Sequence, residues 1–256
     1  MTNTANDLSS SDPFQKSELS STLLKAIVIL DYLSTSNSPQ ALGEIARSTD
    51  LNQTVSHRLL ATLKSKGLVI QDPASRGYAL GWHLLKYGDH VLATFPIAKI
   101  IDPWLEKLRD LTRETTTLHI PSGNVRVCVL ECESKEDLRR SVGVGRRVPI
   151  HLGASGRAIM AFLPEDERNL LISNLPHEEA DRIIPMLEKT IKEGIAISHE
   201  ESARNVAALA APIFDRKGHI LGALSISGPD FRWKQEEMVR FIPTLLNATE
   251  DIQSHL

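Results

Sequence analysis

Polar side chains recur at helical spacing between residues 52 and 65, and this set could read a nucleic acid. At about 100° per residue, one face of a helix here carries Thr54, His57, Arg58 and Lys64, with the small Ala61 between them. Arg and Thr side chains can reach base edges and phosphates, and a small residue lets the helix approach a major groove closely. The same face could instead be the solvated side of a small helical subdomain. Under the first interpretation, Thr54, His57 and Arg58 are the leading DNA contacts.

A second helix and a scaffold helix would position this face. The opposite side of the segment is apolar, through residues such as Leu59 and Leu63, and Asn52 can cap the helix by accepting from its first amides. A short helix precedes it near residues 42–46. A longer apolar helix, from about residue 20 to residue 33, would support both.

A short hairpin is predicted directly after these helices. Residues 68–71 and 78–80 alternate with period two and are separated by turn residues that include Gly77. Arg76 lies near the hairpin tip, as the wing of a winged helix-turn-helix requires. Lys64 and Arg76 are therefore predicted to contact DNA phosphates.

The distribution of charge agrees with a nucleic-acid partner although the net charge is −3. Between residues 51 and 81 there are four bases (Arg58, Lys64, Lys66, Arg76) and a single acid, Asp72. The local field at the phosphates, rather than the chain total, sets the electrostatic contribution to DNA binding. Because the local excess is modest, one copy should bind weakly and pairing of two copies should be needed.

A second candidate site lies in the C-terminal half. The stretch 151–157 (His-Leu-Gly-Ala-Ser-Gly-Arg) leads into a helix predicted from Gly156 to Leu163, and small residues there expose amides that favour an anion. Ser225 and Ser227 are two apart on a predicted strand and share one face. From residue chemistry alone, Ser155 as a helix cap and the two serines as an ordinary sheet face remain available interpretations.

Other patterns argue against catalysis. Arg157 breaks the G-x-S-x-G pattern of a nucleophilic serine, and nothing in the sequence pairs Ser155 with a base and an acid.

Cys128 and Cys132 are four apart on a predicted strand and should point to one side as small core residues. A redox or metal role with nearby histidines is the alternative. We expect no enzyme activity, no metal and no cofactor.

Composition is that of an ordinary soluble protein, with 41% hydrophobic and 24% charged residues in a chain of 256. No apolar run approaches the roughly 18 residues that a membrane span requires. The first residues lack the pattern of a signal peptide, and two cysteines alone fit a reducing compartment. We therefore expect a cytoplasmic protein without a membrane partner.

The patterns divide the chain into four segments. Residues 1–18 are polar and Pro-broken, and we expect a disordered tail. Residues 19–81 form the winged helix-turn-helix domain, and residues 82–95 an apolar linker helix. Residues 96–256 alternate helices with strands, which predicts an α+β domain with an antiparallel sheet flanked by helices.

Several separate blocks of the chain resemble the IclR-type transcriptional regulators. They follow one another in the family's order over nearly the whole chain after residue 20: residues 51–63, Gly67-Leu-Val, Gly77-Tyr-Ala-Leu-Gly81, residues 142–158, His199-Glu-Glu201, residues 210–215 and residues 223–229. Asn205 stands where a Gly is common in the family, and Asn tolerates the left-handed conformation better than most residues.

The resemblance implies a transcriptional regulator that binds a double-stranded DNA operator and a small, carboxylate-bearing effector. It implies a GAF-like C-terminal domain and a linker helix that pairs two copies as a homodimer, with a dimer of dimers as an open alternative. The implied effector contacts are Ala154, Ser155, Gly156, Ser225 and Ser227, with Arg204 or Asn205 as further polar contacts. Effector binding would shift the placement of the paired DNA-binding domains.

An alternative from another class is a small-molecule sensor or binding module whose helix-turn-helix contacts only proteins. Salt dependence separates the two hypotheses, because binding through several phosphates must weaken steeply as salt increases.

Overall fold

The computed structural model describes residues 19–94 and 97–256. The predicted tail at residues 1–18, and the predicted end of the linker helix at Phe95 and Pro96, lie outside the described residues. The chain divides into two compact units, with the boundary between Thr94 and Phe95. Each unit has its own hydrophobic core.

The N-terminal unit contains a helix-turn-helix followed by a two-stranded wing. Its elements are α1 (Ser21–Ser34), α2 (Leu42–Ser48), α3 (Gln53–Ser65), β1 (Val69–Gln71), β2 (Tyr78–Leu80) and α4 (His83–Ala93). The predicted cap of α3 is confirmed, because Asn52 Oδ1 accepts from the Val55 amide at 2.8 Å. This bond satisfies an amide that the helix leaves open and fixes where α3 begins.

The core of this unit lies where α1, α2, α3 and the antiparallel β1–β2 hairpin meet. Its buried members are Ile29, Leu33, Ile45, Leu59, Leu60, Leu63, Val69 and Tyr78. A bridge between Gln40 and Tyr78 ties the hairpin to the segment before α2. The apolar face predicted for α3 is thus confirmed as its inner face, which leaves the polar face outside.

The C-terminal unit is an α+β domain, as predicted. Its elements are α5 (Ala98–Thr112), β3 (Thr115–Ser122), β4 (Val125–Cys132), β5 (Arg147–Pro149), α6 (Gly153–Met160), α7 (Glu165–Ser173), α8 (His177–Glu193), β6 (Ala196–His199), β7 (Val206–Phe214), β8 (Ile220–Pro229) and α9 (Gln235–Ser254). One antiparallel sheet has the strand order β5-β4-β3-β8-β7-β6.

Helices cover both faces of this sheet. Apolar residues of α5 and α9 pack on one face, against residues such as Leu118, Leu209 and Leu224. On the other face α6 and α8 form a second cluster with Ala210 and Ala223. Small side chains on this second face let α6 lie close to the strands.

Two boundaries differ from the sequence prediction. Helix α6 begins at Gly153 rather than Gly156, so Ala154, Ser155 and Gly156 belong to its first turns. Strand β5 was not predicted; it is three residues long and pairs with the start of β4. No helix within residues 19–94 or 97–256 is long and apolar enough to cross a membrane.

The prediction that Cys128 and Cys132 share one side of their strand is wrong. Cys128 lies opposite His119, but Cys132 lies opposite Thr116, because β4 has one extra residue at a bulge between these pairs. Residues three apart on β3 face opposite sides, and so do their partners. In the described part of the chain, no group of three or more His, Cys, Asp or Glu side chains could hold a metal ion.

Candidate DNA-binding surface and effector site

The polar face of α3 is open to solvent. Thr54, His57, Arg58 and Lys64 are all exposed, as the helical spacing predicts. Ser56 is a polar residue of this helix that is buried. Its hydroxyl donates to the Asn52 carbonyl at 3.1 Å. That bond satisfies the buried hydroxyl within its own helix. An exposed polar face on a rigid, capped helix is the surface a major groove can accept.

Side chains join the end of α3 to the wing. Lys64 Nζ donates to Gln71 Oε1 at 3.0 Å, and Gln71 Nε2 donates to the Arg76 carbonyl at 3.0 Å. Arg76 itself has a φ of 59°, in the left-handed region that most residues avoid. The sequence analysis missed Gln71, whose role requires the hairpin to be folded. The arrangement ties the Lys64 side chain at the end of α3 to the backbone of the wing at Arg76.

The wing turn has two further supports. The Asp72 carboxylate accepts from the Ser75 amide and hydroxyl at 2.7 Å and 2.6 Å, and these bonds lower the pKa of Asp72. Gly77, predicted as a turn residue, instead allows a close approach, because a Cβ there would stand 2.9 Å from Pro39. The only ion pair within residues 19–94 joins Arg47 to Glu44. The bases of α3 and the wing therefore form no ion pairs with acids within residues 19–94.

In the C-terminal unit, the predicted serines lie on the sheet face that α6 covers. Ser225 pairs with Ala210 on one side and with Thr117 on the other, and Ser227 pairs with Ala208 and Thr115. Paired residues share a face, and Ala210 packs with Ala154 and Ala158 of α6. The result is a buried hydroxyl-rich face under α6, which we call the polar face; its members are Thr115, Thr117, His119, Ser225 and Ser227.

The first amides of α6 are already occupied by groups of the chain. The Gly153 amide donates to Glu201 Oε2 at 3.1 Å, and the Ala154 amide donates to Ser198 Oγ at 3.0 Å. Glu201 also pairs with the buried guanidinium of Arg157. An anion does lie at this helix start, as the spacing predicts, but it is the Glu201 carboxylate. Ser155 is buried and is not the cap, since the N-cap position is Leu152.

Arg204 and Asn205 lie apart from the polar face, on the exposed turn between β6 and β7. Asn205 has a φ of 55°, so the left-handed conformation expected there is confirmed. Its amide donates to Glu200 Oε1 at 2.7 Å. The same loop carries Glu201, whose carboxylate reaches the start of α6.

The sequence analysis missed a buried arginine beside α6. Arg126 is 4% exposed, and its Nη1 donates to the carbonyls of Pro149 and Leu152. Burial, together with the charges of Arg126 and Arg140, holds the pKa of His119 well below its ordinary value, so this imidazole is neutral. The only sequence signal for Arg126 is a charged residue at an alternating position of a mostly apolar strand.

A surface groove of this unit lies away from the polar face. A groove of about 350 Å³ runs between α7 and α8, lined by residues that include Ile172, Ile184 and Ile191. Ile184 and Ile191 are 41% and 46% exposed, so this is a surface groove. None of the predicted effector residues lines it.

Comparison with known proteins identifies both units. Residues 22–73 match the model of the IclR helix-turn-helix domain, and residues 89–254 match that of the bacterial transcriptional regulator IclR C-terminal domain. The HTH-type transcriptional regulator XynR of Escherichia coli is 28% identical over 232 residues, which cover 88% of this chain and 92% of that protein. The transcriptional repressor IclR of Escherichia coli is 27% identical over 240 residues, with coverage of 90% and 88%.

A solved structure agrees with these relatives. The crystal structure of the Thermotoga maritima IclR has a TM-score of 0.70 and 27% identity to this chain, and the match covers 92% of this chain and 98% of the other. The relatives are DNA-binding transcriptional regulators and not enzymes. The helix-turn-helix exposes a polar face, and the two family models match the N-terminal and C-terminal parts of the chain. This protein therefore belongs to the IclR family of bacterial transcriptional regulators.

Proposed function

We propose that this regulator reads its operator with the exposed face of α3. Thr54, His57 and Arg58 contact base edges and nearby phosphates in the major groove, while Lys64 and Arg76 contact phosphates on either side. The observation that supports this most is the exposed polar face of the capped helix α3, beside a wing whose backbone Gln71 ties to Lys64. Cations of the helix and wing orient the protein on DNA, and the bases are read by the helix between them.

The C-terminal unit binds a small, carboxylate-bearing metabolite on the polar face. Ser225 and Ser227 supply hydroxyls from the sheet, and Ala154, Ser155 and Gly156 form the α6 side. Buried hydroxyls, a neutral imidazole and buried guanidinium groups suit an oxygen-rich anion better than an apolar molecule. Arg204 and Asn205 stay candidates for further polar contacts.

Two copies pair through the linker helix α4 in the cytoplasm. Apolar side chains of this helix, and Trp82 directly before it, are exposed in the single chain: Trp82 is 76% exposed, Leu85 66% and Val91 63%. Exposed apolar side chains in such number on one short segment indicate a surface that a partner covers. Effector binding controls the protein because the effector binds one arrangement of the paired DNA-binding units better than the other.

The first experiment measures binding to DNA from upstream of the protein's own gene by fluorescence anisotropy at two salt concentrations. Wild type, Arg58→Ala and Arg139→Ala are compared, with unrelated DNA as the reference. Arg139 is a control of equal charge, because it lies in the other unit and pairs with Glu133. We expect Arg58→Ala to weaken specific binding by about 10- to 100-fold, since one good base contact contributes on the order of 1–3 kcal/mol.

Salt separates DNA binding from the protein-contact alternative. Affinity of the wild type should fall steeply with salt, and Arg139→Ala should behave as wild type. Equal loss in both variants, or the absence of binding to any fragment of a genomic library, would contradict the proposed DNA contacts.

A further inference from the structure

Arg126 is a buried cation beside α6, and it forms no ion pair with an acid among the described residues. We propose that Arg126 binds the carboxylate of the effector. The inference rests on the proposed function, because it assigns the ligand-selecting group of the same site.

The surroundings of Arg126 leave its guanidinium only partly satisfied. Nη1 donates to the carbonyls of Pro149 and Leu152, but Nε is buried without a hydrogen-bond partner in the described part of the chain. Burying an ionised group is unfavourable unless a counter-charge accompanies it. A ligand carboxylate supplies both the charge and an acceptor for the free N–H.

The acid whose charge acts on Arg126 is already bonded to other groups. Glu201 is the acid whose charge supports Arg126, yet it is bonded to Arg157 and to the Gly153 amide. Cys128 lies near Arg126 but stays a neutral thiol, because burial raises the pKa of Cys128 to about 12. Arg140 adds a second positive charge nearby. Arg126 itself remains protonated at neutral pH, since burial lowers its pKa only to about 10.

Contacts place this guanidinium against the predicted effector residues. A Cβ on Gly156 would stand 2.9 Å from Arg126 Nη1, and one on Gly153 would stand 3.4 Å from Nη2. The two glycines thus let the guanidinium lie directly under the first turns of α6. These turns cover the polar face, where Ser227 Oγ is also buried without a partner among the described residues. A carboxylate bound at Arg126 would supply the acceptor that its buried Nε lacks.

The test compares wild type with Arg126→Gln, Arg126→Lys and the surface control Arg139→Gln. Isothermal calorimetry measures the binding of a panel of small hydroxy- and oxo-monocarboxylates and of their primary amides. We expect at least one acid to bind wild type and Arg139→Gln equally. Its amide, and Arg126→Gln with the acid, should bind about 10- to 100-fold more weakly, because a charged hydrogen-bonded pair is lost. Arg126→Lys keeps the charge but not the planar fork, and should fall between.

A second readout separates ligand binding from a structural role. Without ligand, Arg126→Gln should unfold at the same or a higher temperature than wild type, because an unmatched buried charge is removed. A lowered midpoint, with an acid bound as tightly as by wild type, would make Arg126 a structural residue. Equal affinity for acid and amide, or no acid of the panel binding wild type, would also overturn the proposal.

DNA binding is measured on the same proteins without added acid. Wild type and Arg126→Gln should bind the upstream DNA equally. If neither binds DNA, the proposed operator contacts fail while the acid measurements stand. If both bind DNA but Arg126→Gln binds the acids normally, only the assignment of Arg126 fails.

Discussion

At the scale of single residues, Gly156 shows how closely α6 is packed at the proposed site. A Cβ at this position would stand 2.1 Å from the Ile150 carbonyl oxygen, a distance that no real contact tolerates. Gly43 on α2 is the contrast, because the atom nearest to a Cβ there is Nε2 of the flexible Gln53 side chain, at an ordinary contact distance of 3.4 Å. Both are helical glycines, so intrinsic helix propensity favours alanine at each.

We therefore predict opposite signs for the same substitution. Gly156→Ala should destabilise the protein by about 1–3 kcal/mol, as overpacked cores do, and should weaken effector binding. Gly43→Ala should stabilise it by about 0.5–1 kcal/mol. Urea unfolding of the two variants measures both values. Equal stability of Gly156→Ala and wild type would show that α6 can move away from Ile150 freely.

At the scale of elements, Gln71 connects α3 to the wing. Its side chain accepts from Lys64 and donates to the carbonyl of Arg76, a residue with left-handed φ. We expect Gln71→Ala to reduce operator affinity about 2- to 10-fold, since each bond contributes about 0.5–1.5 kcal/mol. The anisotropy assay with upstream DNA measures the change.

Thr62→Ala is the matched control for this substitution. Thr62 is exposed on α3, and its hydroxyl bonds only within that helix, to the Arg58 carbonyl at 3.0 Å. Its loss should leave operator affinity unchanged. If Gln71→Ala and Thr62→Ala bind alike, the wing does not depend on the Gln71 bonds.

At the scale of the whole molecule, the proposed pairing depends on α4. We expect Leu85→Glu to shift the protein from dimer to monomer, because a charge would lie inside an apolar interface. Operator affinity should then fall by about 100-fold or more, since two linked half-site contacts become independent. Light scattering during size-exclusion chromatography gives the mass, and anisotropy gives the affinity.

Lys86→Glu places the same acid on the neighbouring position of α4, where an exposed polar side chain already stands. It should stay dimeric. A dimeric Leu85→Glu with wild-type affinity would move the pairing surface away from this helix.

The parts of this protein that were predictable are those with local causes. The inner face of α3 follows from helical period, its start from the Asn52 side chain, and the conformation of Asn205 from the tolerance of Asn for positive φ. Errors arose where strands meet. The extra residue in β4 that separates Cys128 from Cys132 is visible only against its partner strand β3.

The sequence by itself therefore determined the α+β class, the winged helix-turn-helix and the solvent-exposed face of α3, because periodicity and capping act over a few residues. The tertiary structure alone decided what surrounds α6. It placed Glu201 on the Gly153 amide, 48 residues away in sequence, and it buried Arg126 with its Nε unpaired among the described residues. Burial and pairing of charges depend on which distant groups share a low-dielectric interior, and no local pattern encodes that neighbourhood.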